Sequence, residues 1–121
     1  MADAAEYDPR YLEGIALFNA GEYFDAHEVW EALWRDTAGG DRRFYQGLIQ
    51  AAVAVYHAHN GNALGAQRLF DSGRRHMSPY GPAHLGLDVA AIWQAVAMAL
   101  AEPLAADRLP VITLSTPSAP G

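Results

Sequence analysis

The sequence predicts an all-α fold: a single-domain bundle of about five helices, built from two antiparallel helical hairpins and a closing C-terminal helix. Three observations predict it. Five stretches repeat their apolar residues at helical rather than alternating spacing. Each is bounded by residues suited to starting or stopping a helix, such as Asp8-Pro9, Gly21, Gly39-Gly40, Asn60-Gly61-Asn62 and Asp88. The first four are joined by short links, which make sequence neighbours antiparallel in a bundle.

The first helix starts at Asp8-Pro9, where Asp caps and Pro fits the first turn, and runs to about Ala20. Gly21 stops it, being free to take positive φ. The second runs from about Glu22 to Asp36. On a wheel of about 100° per residue, Tyr23, Ala26, Val29, Trp30, Leu33 and Trp34 share one arc. His27 and Glu31 fall at the edge of that arc, one turn apart, with Glu28 and Arg35 further toward water. Asp41 is expected to cap the third helix, Arg42 to His59.

The third helix is apolar around its whole circumference, which marks a central, buried helix. Gln46, Gln50 and His57 interrupt it as a polar stripe. Gly47, Ala51, Ala54 and Ala58 form a small-residue face that admits a close neighbour. The fourth helix spans about Ala63 to Met77. A Pro/Gly loop follows, and Asp88 caps a fifth helix, Val89 to Ala101, that is almost wholly apolar and suited to burial against a second copy of the chain. Residues 1–7 are expected to fray, 8–102 to form the bundle, and 103–121 to form a Pro/Ser/Thr-rich tail, at least partly disordered. Val111 to Leu114 is a short terminal strand candidate.

Composition narrows the function classes. The chain has 121 residues, a net charge of −6 and no cysteine, so it has no disulfide framework and no thiolate metal site. Its basic clusters, Arg42-Arg43 and Arg74-Arg75, are too small for a nucleic-acid footprint. No apolar run reaches the roughly 18 residues of a membrane span. The acidic start, Met1 to Asp8, lacks the features of a signal peptide, and a cytoplasmic location is expected.

The candidate chemistry lies between helices two and three. Counting outward from the Ala38-Gly39 turn puts His27 level with Gln50 and Glu31 level with Gln46, with His57 near one end. Such a cluster can be a hydrogen-bond network that sets helix register. It can also be the wall of a polar pocket for a small-molecule or peptide ligand, or an acid–base pair in which Glu31 orients His27. His27 and Glu31 at i, i+4 are the candidate metal ligands, although the zinc-protease pattern has a second His where Glu31 stands. No nucleophile lies nearby in sequence, which favours a binding or scaffold module over a hydrolase-like or metal-dependent enzyme. His84, in the Pro/Gly loop, is read as solvated. No cofactor can be named.

Residues 21–35, reading GEYFDAHEVWEALWR, and residues 44–50, FYQGLIQ, followed by His57 and Gly61-Asn62, resemble the signature of a bacterial and archaeal helical family catalogued as domain of unknown function 309. The resemblance spans roughly Tyr11 to Leu100. It implies an all-helical bundle and no established activity. It singles out His27, Glu28, Glu31, Trp34, Arg35, Gln46 and Gln50.

Overall fold

Helix α1, Pro9–Asn19, begins where expected: the Asp8 carboxylate accepts from the Arg10 N–H, and Pro9 occupies the first turn. That backbone hydrogen bond holds the Asp8 carboxyl below its ordinary range. Gly21, at φ +82°, turns the chain into α2, Tyr23–Asp36. Then come α3, Arg42–His59, and α4, Ala63–Met77, whose first turn is capped by Asn62 accepting from the Gly65 N–H. A short 3-10 turn, Ser78–Tyr80, leads to two-residue antiparallel strands, β1 Ala83–His84 and β2 Leu87–Asp88. Helix α5, Val89–Ala101, is capped by Asp88, which accepts from the Ala91 N–H. The computed structural model describes residues 7–103 and 109–115. Residues 1–6 and 116–121, where most of the expected fraying and disorder falls, and residues 104–108 lie outside the described part.

The described residues form one all-α domain, with α1·α2 and α3·α4 as hairpins and α5 closing against α3 and α4. Helix α3 is central, as its all-round apolar pattern predicts: Phe44, Leu48, Ala52, Ala54 and Val55 are fully buried. The small face of α3 receives α4. A Cβ on Gly47 would meet Met77 Cγ at 2.5 Å, and one on Gly73 would lie 3.1 Å from Gln50 Cβ. At the other hairpin Trp30 fills the space that Gly14 leaves open, and its indole N–H donates to Tyr11 O at 3.2 Å.

One expectation is corrected in the loops. The short strands lie at Ala83–His84 and Leu87–Asp88, not at Val111 to Leu114, which forms no strand. Leu85 and Gly86 both have positive φ (49° and 77°), the backbone of a two-residue type I′ hairpin turn. Leu85 adopts it without being glycine because Tyr11 donates to its carbonyl at 2.9 Å. Within the stretch read as tail, residues 109–115 dock on the bundle. Asn19 exchanges two hydrogen bonds with Ile112 (2.8 and 2.7 Å), Ile112 is buried, and Ser115 donates to Gly86 O. No described helix is long and apolar enough to cross a membrane.

Candidate functional site

The expected His27–Gln50 and Glu31–Gln46 pairs do not form hydrogen bonds among the described residues. Gln50 sits on the α3·α4 seam, drawn there by the close approach at Gly73, and its amide oxygen accepts from Ser72 of α4 at 3.1 Å. Gln46 is half-buried on the same helix. Glu31, half-buried, pairs along its own helix with the exposed Arg35 at 3.2 Å. Glu28 is exposed. A wheel assigns a stripe to a face but cannot say which of two neighbouring helices that face meets.

His27 is joined to α3 by rings rather than by amides. Its Nδ1 lies 3.3 Å from Phe24 O, one turn back on α2. With Nδ1–H donating there, Nε2 is left as the acceptor. The imidazole packs on the Phe24 ring, with centroids 5.5 Å apart, and Phe24 packs on Tyr56 of α3 at 5.7 Å. Tyr56 contacts the His57 ring at 6.1 Å, and His57 Nδ1 lies 3.5 Å from the Asn62 amide. A relay of ring contacts thus links His27 to His57, both named from sequence. Phe24 and Tyr56, which join them, are 49% and 39% exposed.

Sequence reasoning missed both aromatics. Phe24 falls outside the apolar arc of α2, and a large ring off that arc is the signal that finds it. Tyr56 carried no such signal, because the pattern of α3 is apolar all round.

Trp34 lies half-buried at the far end of α2, away from these rings. The Arg42 guanidinium lies 3.8 Å over its ring, a cation–π contact worth about 0.5–1 kcal/mol when exposed. Its indole N–H is buried without a partner among the described residues, as is the hydroxyl of Tyr23. Burial raises the Tyr23 phenol to about 12.

A second polar contact closes the opposite end of the bundle and corrects two more expectations. Asp41 does not cap α3 with its side chain. Its carboxylate meets His84 Nε2 at 2.7 Å instead. The His84 ring is not free in water but packs against Phe44 and Tyr80, each with centroids at 4.8 Å. Tyr80 donates its hydroxyl to Gly40 O, so the loop before α5 is clasped to the α2–α3 turn. Among the described residues no group of three or more His, Asp or Glu is placed to hold a metal ion; His27 and Glu31 gain no third ligand.

Residues 11–69 match the family model described as Domain of unknown function (DUF309). The matched segment contains the whole Phe24–His27–Tyr56–His57 relay. The chain is also 38% identical over 65 residues to "Uncharacterized protein YpuF" of Bacillus subtilis (strain 168), a stretch covering 52% of this chain and 37% of that protein. The match therefore spans little more than a third of the relative's length. Over Tyr11 to Leu69, then, just under half of its length, the chain is similar to the domain of unknown function family 309.

Proposed function

We propose that this chain is a binding module, and that the side of α2 and α3 carrying Phe24, His27, Tyr56 and His57 receives a peptide segment of a partner protein. One observation carries the reading: two aromatic rings on different helices pack together at 5.7 Å yet stay 49% and 39% exposed. Their mutual contact leaves enough ring surface in water to mark an interaction site. Aromatic side chains supply large contact area for few rotatable bonds, and they are enriched where interfaces concentrate their energy. His27 and His57 add hydrogen-bonding edges beside the apolar centre, and the Glu31–Arg35 pair lies further along α2.

The enzyme reading has less support. An acid–base role for His27 needs a carboxylate to orient its ring. Its Nδ1 faces a backbone carbonyl instead, and Glu31 is engaged by Arg35.

The test is a peptide library displayed on phage, panned on the wild-type chain and counter-selected on a Phe24→Ser/Tyr56→Ser variant. The reading expects peptides enriched on wild type that lose about tenfold or more in affinity on the variant. Peptides that bind both equally, or a wild-type chain whose sedimentation mass shows this face covered by a second copy, contradict it.

A further inference from the structure

A separate feature lies on the other side of the molecule, largely beyond the family-matched segment. Three cavities of about 490, 190 and 220 Å³ flank α4 and α5. The first two share Phe70 and Ala97, and the last two share Gln67 and Leu100. They form one elongated groove from Pro82 to Pro103. Along α5, from Val89 to Leu100, it runs about 16 Å at the helical rise per residue. Its largest part falls in the size range of small-molecule sites, roughly 300–1,000 Å³.

The lining is apolar along the length and charged at one end. Phe70 and Trp93 pack edge to face at 5.6 Å and form the wall. The Trp93 N–H is turned inward to Met77 Sδ at 3.0 Å, so the indole offers the groove carbon surface. Alanines widen the floor. Arg74 is the one ionisable residue lining any of the three cavities. Its guanidinium sits 5.5 Å from the centre of the Phe70 ring and joins no ion pair among the described residues. Ser78 and Gln94 supply neutral polar groups at the same end. Asp71, on α4, is engaged by Gln67 at 3.1 Å and lines none of the cavities.

We propose that the groove binds an alkyl carboxylate, its head on Arg74 and its chain laid along Phe70, Ala97 and Leu100. A guanidinium fork matches a carboxylate in two parallel hydrogen bonds. The single charge at one end selects a ligand with one anionic head. The length and apolar lining select a linear apolar tail, and the unpaired cation favours an anion over a neutral lipid.

Decanoate is the probe, titrated below its micellar range and followed by calorimetry and by amide chemical shifts. Saturable binding at one per chain is expected, with shifts along α4 and α5 and decanol and acetate each about tenfold weaker. Arg74→Gln lies on the surface and should weaken decanoate about tenfold while leaving decanol unchanged. Ala97→Phe, also exposed, should fill the groove and abolish both. The proposal is overturned by equal affinity for decanoate and decanol, by an Arg74→Gln variant that binds decanoate as well as wild type, or by shifts centred on Phe24 and Tyr56. It is also overturned if the wild-type chain sediments as a dimer that Ala97→Phe converts to monomer, since a second copy then covers the groove.

Discussion

A Cβ added at Gly14 would fall 2.0 Å from Trp30 Nε1, inside van der Waals contact with an indole that is fully buried. Gly14→Ala must therefore displace Trp30, and overpacking of this kind costs about 1–3 kcal/mol. The urea midpoint should fall, and an unchanged midpoint would show that the ring has room. Tyr23 carries the opposite prediction. Its hydroxyl is buried and unpartnered among the described residues, so Tyr23→Phe should hold or raise stability, by up to about 1 kcal/mol. Burial raises its phenol from 10.0 to about 12. The associated stability is complete below pH 10 and is lost as pH rises to about 12. The phenylalanine variant should lack that part of the alkaline decline. His76 works the other way. Burial first, then Arg43 and Arg75, hold it below 6.5, and Arg43 Nε donates to its neutral Nδ1 at 3.2 Å. Its contribution is present above pH 6.5 and is lost as pH falls from there through the lower folded value. Stability of His76→Gln should decline less than wild type as pH falls below 6.5, and an unchanged acid limb contradicts this account.

At the scale of elements, capping chemistry and wheels were the legible part. Asp8, Asn62 and Asp88 each accept from a first-turn N–H. Asp88→Ala should cost about 1 kcal/mol by loss of the cap, read as a lower melting temperature; no change would mean that Asp88 does not hold α5. Asp41 has the same sequence appearance yet serves His84, because the loop that carries His84 folds back from more than forty residues away. That return path is set by tertiary packing, which local spacing does not contain. The same limit applies to the site. Turn counting placed His27 and Gln50 level, but Gly47 and Gly73 pull α4 onto the side of α3 that carries Gln50. The polar residues were legible, and their partners were not. The Leu85-Gly86 turn was illegible for a further reason: Leu85 takes positive φ through a hydrogen bond from Tyr11, in another element.

For the molecule as a whole, the two faces divide the chain. The α2–α3 face lies inside the family-matched residues 11–69, and the 490 Å³ part of the α4–α5 groove is lined from Phe70 onward. Stability should reside in the core between them. Phe24→Ser and Tyr56→Ser, both at exposed positions, should each change stability by no more than about 0.5 kcal/mol. The most direct measurement combines that variant with a peptide selected on the wild-type chain, using titrated amide shifts and affinities. The predicted result is a shift map centred on Phe24, His27, Tyr56 and His57, with Phe24→Ser weakening binding about tenfold while melting as wild type does. Shifts centred elsewhere, with Phe24→Ser binding as tightly as wild type, would contradict the assignment of this face.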